Sequence, residues 1–579
     1  MRTFLSKLSQ SQIFFTVGFS LVCFYILVYG VYFERYIVFL ESLFSGSIVG
    51  QPLFNFLNIA YIGQSLLFAK LYNAFPSFYW LDFHTIAVGG FTVVAFLWGV
   101  AMLAHKRMFG WAAGLLLIAN CSTLLHYNLA SANSSREAFL LTALLLLIFW
   151  GWSSSKPFWK YLLILVGLCW TMLIRYEFAL LALILFASFV LVQHKWLRHQ
   201  WRWFIGPLVL FVAIGSFLYI DRNYSGDFAK ESDFSQYLIA DADHLKLFES
   251  FNDPKDSLRY MAAKELWLSD TANLKIEFFR SLQGYKLGFS INYLQNYFPY
   301  YFNRAVEMLQ YFLHEYFLFF LLPFALLLYF LIEAYWITGD IRKRWWVLAI
   351  PYFMMLMMLF TLSYLVRMET TLLQPAMMLS IMFLLGVGNQ PVPVEKQSAA
   401  RWLKIGLSVF LFVHLIAANN QLYKFVNERE KMLEKNIVVC READTLAKDK
   451  FLVLDGYSNL IYDHRLGNNY VFKQTKNILL YDCGQLILAE PFLSYHAKIC
   501  QCNPLDNVAF YTFLLNNKQN VLLLSHPQRM AFVIGYMRGM HQMQIGYRKI
   551  EGEFKAEQLK DFGLELHYYI LTDSVDDNG

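Results

Sequence analysis

At four places along this 579-residue chain an arginine sits beside a glutamate, or two residues from one, where an apolar run ends: Glu34 with Arg35, Arg136 with Glu137, Arg175 with Glu177, and Arg367 with Glu369. A guanidinium keeps its charge and grips phosphate oxygens through paired hydrogen bonds. A carboxylate in the same neighbourhood can take the proton of a hydroxyl or an amine. Together the two groups supply a clamp for an anionic leaving group and a base for an acceptor. On this reading Arg136, Arg175 and Arg367 bind a phosphate, Arg367 foremost, with Glu137, Glu177 and Glu369 in support. Glu34 is the candidate catalytic base, and Glu41 shares its face if 34–44 is helical. The competing reading makes each pair an ordinary interfacial ion pair, of the weak kind that exposed charges form.

What must position these groups is a set of membrane spans. Hydrophobic residues make up 58% of the chain and charged ones 16%, a balance that places most of it in lipid. Apolar runs long enough to cross occur at 13–33, 84–104, 109–126, 137–153, 159–174, 178–194, 204–220, 314–334, 346–365, 371–388 and 403–419. With Arg2 and Lys7 inside, every second connection is basic, from Lys106 and Arg107 to Arg401 and Lys404, as the positive-inside rule requires. The fold class expected is therefore a polytopic α-helical membrane protein of about eleven spans, its N-terminus cytoplasmic and its C-terminus outside. The net charge of +6 is spread over these short loops rather than gathered in one stripe, which argues against nucleic acid as a partner.

The membrane domain is expected over 1–420, with two large outer loops at 34–83 and 221–313. The second loop carries amphipathic stretches at 260–268 and 273–282, and the two loops together are expected to form a vestibule beside the membrane. From about Asn420 the composition turns soluble. Strand-like runs at 451–454, 478–481, 521–524 and 564–571, with helical patterns at 507–515 and 530–540, make 421–579 a small α/β domain. His126 and His414, near helix ends and without a sequence-local partner, read as structural. Cys440, Cys483, Cys500 and Cys502 in the tail leave disulfides open, and their spacing matches no zinc motif. A Walker A loop, a dinucleotide glycine fingerprint and a nucleophile elbow are all absent from the sequence.

This arrangement resembles the GT-C superfamily of integral membrane glycosyltransferases, the group of the protein mannosyltransferases and the lipid A aminoarabinose transferases. The resemblance lies in the architecture and in two stretches. NFLNIAYIGQSLLFAKLYNAFPSFYW, residues 55–80, is similar to the loop before the second span of bacterial members; YLVRMETTLLQP, residues 364–375, is similar to the arginine followed by proline that opens a late span. It implies a polyprenyl-phosphate sugar donor, a glycan, lipid or protein acceptor, and transfer at the outer face of a bacterial inner membrane, with the tail periplasmic. By position it assigns the catalytic acid to Glu34, although the family commonly shows Asp there, often beside a second acid, where this chain has Arg35. Some relatives use a divalent cation and others none, so no cofactor follows. An O-antigen polymerase or ligase, a transporter or flippase, and a non-catalytic assembly subunit are the alternatives; charges collected at one membrane face argue against a transporter with its site at the midplane.

Overall fold

The computed structural model describes residues 9–34, 80–106, 110–130, 134–151, 165–172, 253–264, 317–338, 373–387, 397–455, 463–465, 477–481, 496–503, 505–550 and 567–572, with isolated positions between them that include 270, 273 and 274. In chain order the elements are α1 (Gln10–Tyr29), β1 (Tyr32–Glu34), α2 (Trp80–Lys106), α3 (Trp111–Leu129), α4 (Ser134–Gly151), α5 (Pro254–Lys264), α6 (Phe317–Glu333), α7 (Leu373–Val387) and α8 (Gln397–Leu446). They are followed by β2 (Phe451–Asp455), β3 (Asp463–Arg465), β4 (Asn477–Tyr481), α9 (Asn507–Asn516), β5 (Val521–Ser525), α10 (Pro527–His541), β6 (Gly546–Ile550) and β7 (His567–Thr572). Two compact units result: Met1–Phe33, Asp82–Tyr219 and Ser290–Glu428 form the first, and Glu34–Leu81, Ile220–Phe289 and Arg429–Gly579 the second.

Apolar helices build the first unit. Among the described residues five helices are long and apolar enough to cross a membrane: Gln10–Tyr29, Ile86–His105, Trp111–Leu129, Phe317–Trp336 and Ser398–Leu446; Gln374–Gly386 is equally apolar but shorter. They keep Phe24, Leu27, Phe91, Trp98, Phe412 and Val413 exposed, as suits helices that face lipid. The runs expected at 178–194, 204–220 and 346–365 fall almost wholly outside the described residues.

Contacts along the helices give their directions. α1 opens with a capping box in which Ser9 and Gln12 satisfy each other's backbone N–H groups, and it stops at Gly30, whose φ of 81° suits a residue without a Cβ. α1 and α3 approach closely because glycines face bulk: a Cβ on Gly18 would lie 2.5 Å from Ile118 Cγ2, and one on Gly114 would strike the Phe14 ring. Phe14 thus meets Trp111 and Gly114, while Tyr25 meets Thr123 and His126, so the two helices run the same way. α8 runs with them, since Leu411 and His414 reach Asn120, Asn419 reaches Tyr25, and Phe425 stacks on Tyr127. α2 runs against them, from Gly89 beside Leu129 to His105 bonded to Gln10, and so does α7, with Met378 at Asn128 and Met382 at Gly99.

A five-stranded mixed sheet of order β4-β2-β5-β7-β6 forms the heart of the second unit. β2 pairs in parallel with β4 and β5, and β7 pairs antiparallel with β5 and β6. Every residue of β5, VLLLS, is buried, as for a strand covered on both faces. Its core gathers Val453, Leu479, Leu523, Tyr536, Met537 and Tyr569 from the tail, and Ala262 and Leu274 from the second loop. Leu258 of α5 packs where a Cβ on Gly539 of α10 would otherwise lie. The amphipathic segment of the loop therefore buries its apolar face in the tail's core. The turn to polar composition at Asn420 makes no break in the backbone, because α8 continues to Leu446.

Candidate functional site

Of the residues singled out for chemistry, the structure describes the backbone of three. Glu34 closes β1, directly after α1, and Arg136 and Glu137 lie in the first turn of α4, directly after α3. Glu41, Arg175, Glu177, Arg367 and Glu369 lie outside the described residues. Trp170 donates its Nε1–H to His84 Nε2 at 2.9 Å, four residues from the start of α2, and α7 begins at Leu373.

The polar side chains inside the first unit are the second feature. Asn120 donates Nδ2–H to Leu116 O at 2.8 Å and to Leu411 O at 2.9 Å. Its Oδ1 lies 2.6 Å from His414 Nδ1, and His414 Nε2 lies 2.8 Å from Leu318 O. Both imidazole nitrogens thus lie within hydrogen-bonding distance of an oxygen. Ser122 donates to Ile118 O at 2.8 Å and Gly18 O at 3.0 Å, and Tyr25 shares its hydroxyl between Thr123 and Asn419.

His126 departs from this pattern. It is fully buried, yet neither ring nitrogen has a hydrogen-bond partner among the described residues. Tyr25 and Tyr29 flank it, with ring centroids 5.5 Å and 6.0 Å away, and Tyr29 in turn meets the exposed Tyr423 at 6.4 Å. Nothing local in the sequence sets His126 apart from His414; only the positions of Asn120 and Leu318 relative to His414 do so.

The second unit holds a contrasting cluster. Asp270, 1% exposed, accepts hydrogen bonds from Tyr536 Oη and His541 Nε2 at 2.7 Å each and from Asn273 Nδ2 at 2.9 Å. Burial alone would raise its carboxyl, but the bonds from His541, Tyr536 and Asn273 outweigh it and hold the group below the usual carboxylate value. Burial, reinforced by Asp270, pushes the Tyr536 hydroxyl up. His496, buried in the same unit, is pushed down to about 3 by desolvation. The Cys500 thiol is pushed up to about 12 by burial, with Cys502 adding to it, and both are free, as is Cys440; Cys483 lies outside the described residues.

Protein-family models, curated proteins and solved structures give no match to this chain. Its chemistry has to be read from its own residues. Among the described residues no three His, Cys, Asp or Glu side chains gather into a set fit for a metal ion. The feature they do show is an imidazole, that of His126, buried among tyrosine rings.

Proposed function

We propose that this chain is a GT-C-like membrane glycosyltransferase that moves a sugar from a polyprenyl-phosphate donor to a glycan, lipid or protein acceptor at the outer face of a bacterial inner membrane. The observation that carries the reading is the co-directional packing of α1 and α3, after which the chain enters β1 with Glu34 and the first turn of α4 with Arg136 and Glu137. α7 begins at the same end, a few residues after Arg367 and Glu369, and Trp170, shortly before Arg175 and Glu177, bonds to His84 near the start of α2 at that end. Acids and guanidinium groups that follow helix ends of one direction suit an anionic leaving group at one membrane face better than a relay through the membrane.

In the reaction Glu34 takes the proton of the acceptor hydroxyl or amine, whose oxygen or nitrogen attacks the anomeric carbon. The bond from that carbon to the lipid phosphate oxygen breaks. Arg136, Arg175 and Arg367 hold the charge left on the phosphate. A count of eleven spans fits the helix directions: α1, α3 and α8 are odd in that count and run one way, while α2 and α7 are even and run the other.

The test uses proteoliposomes supplied with labelled polyprenyl-phosphate sugars. Glu34→Gln is expected to slow transfer roughly 10²- to 10⁴-fold, with the tail's protease accessibility unchanged. Arg136→Ala, Arg175→Ala and Arg367→Ala are expected to raise KM for the donor. Transfer at the parent rate by Glu34→Gln removes Glu34 from the reaction. A C-terminal tag found on the cytoplasmic side removes the outer-face assignment.

A further inference from the structure

The imidazole of His126 poses a problem that the helices around it do not solve. A buried polar group without a partner costs about 1–3 kcal/mol, and native structures keep few of them. Along the same helix Asn120, Ser122 and Thr123 all find carbonyl oxygens. His126 faces aromatic rings instead, and neither of its nitrogens is bonded among the described residues.

We infer that Tyr25, Tyr29 and His126 form a binding site for a neutral, hydroxyl-bearing ring, a pyranose of the donor or acceptor. The identification of the ring as a sugar rests on the transferase reading; the preference for hydroxyl groups does not. A neutral imidazole offers one N–H donor and one acceptor lone pair, which a hydroxyl, both donor and acceptor, can match at either nitrogen. Among the described residues around it, Tyr25, Tyr29, Thr123, Asn419 and Tyr423 carry no positive charge, so the cluster suits an uncharged group better than a phosphate. The tyrosine faces supply an apolar wall for the C–H face of the ring, and a pocket of mostly apolar lining with a few fixed polar groups is the usual form of a small-molecule site. Entry runs past Tyr29. Its half-buried ring stands between His126 and the exposed Tyr423, and a ligand reaches the imidazole by displacing it.

The experiment reads modification of His126 by diethyl pyrocarbonate in the full chain held in lipid nanodiscs, by mass spectrometry of the peptide that contains it. Octyl β-D-glucopyranoside, kept below its micelle concentration, is the probe. The octyl ether of tri(ethylene glycol), with the same tail and no sugar ring, is the control. Tyr29→Ala is expected to speed modification roughly tenfold by opening the way in. At twice its dissociation constant the glucoside is expected to slow modification about threefold in both Tyr29→Ala and the parent. No protection by the glucoside, or equal protection by the ether, overturns the inference and leaves His126 with at most a bound water. Protection in a protein that transfers no sugar keeps the site and removes the transferase reading. Transfer without protection removes the site alone.

Discussion

Asp270 and His126 are both buried polar groups, and they answer the loss of water in opposite ways. Asp270 recruits a tyrosine, a histidine and an asparagine from segments far apart in sequence, and its charge ends up better held than in water. His126 sits among tyrosine rings with both nitrogens unused, although His414, of the same type and also within the helical unit, has both engaged. Saturation marks a group that holds structure together. An imidazole bonded to none of its described neighbours adds nothing of that kind.

Three outcomes would sharpen or dissolve that contrast. The largest is expected for Asp270→Ala, which strands the hydroxyl of Tyr536 and the donors of His541 and Asn273: about 3 kcal/mol of the second unit's stability, read as an earlier thermal transition in the full chain. A loss below about 1 kcal/mol would make the cluster ornamental.

Acid comes next. His496 is held neutral, its folded value of about 3 lying below the ordinary value of 6.5, so its contribution is complete above 6.5 and shrinks as pH falls toward 3. The second unit is therefore expected to lose about 2 kcal/mol between pH 6 and 4.5, and His496→Phe to flatten that decline. Asp270 is depressed as well, so its share is present above the unfolded carboxylate value, about 3.9, and disappears only as pH falls through its lower folded value. An unaltered pH profile in His496→Phe would contradict this order.

The smallest effect separates the two membrane histidines. His414→Phe strands Asn120 Oδ1 and Leu318 O and is expected to cost about 1 kcal/mol, within the range of polar contacts between membrane helices. His126→Phe is expected to leave stability unharmed or raise it by about 1 kcal/mol, because no bond is lost and an unpaired buried polar group is removed. Equal costs, measured as resistance to unfolding in mixed detergent, would place both histidines in the structural class.

Much of the fold could be read from composition and periodicity. The apolar runs at 13–33, 84–104 and 109–126 match α1, α2 and α3, and the strand-like runs at 451–454, 478–481 and 521–524 match β2, β4 and β5. The short amphipathic strand β6, GYRKI, has too few apolar residues to announce itself and is fixed by its pairing with β7. Nor did the pattern of α5 say which surface it would cover, since Gly539 of α10 lies far along the chain from Leu258. The helix across Asn420 continues because NNQLYKFVNEREKMLEK is polar yet made largely of good helix formers, so the change of solvent is not a change of backbone. For the candidate site, most of the charged residues singled out in the sequence lie outside the described residues, and the sequence did not single out His126 for function, because the presence or absence of a partner for a histidine depends on other helices.

The share of the second loop in the tail's core sets an order of events during synthesis. Ala262, Asp270 and Leu274 leave the ribosome roughly 250 residues before β5, which at typical elongation rates is roughly 10–50 s. Throughout that interval the loop has to stay unaggregated while later helices enter the membrane, and the sheet closes only when its last strands arrive. A tail produced by itself would begin life missing part of its own interior.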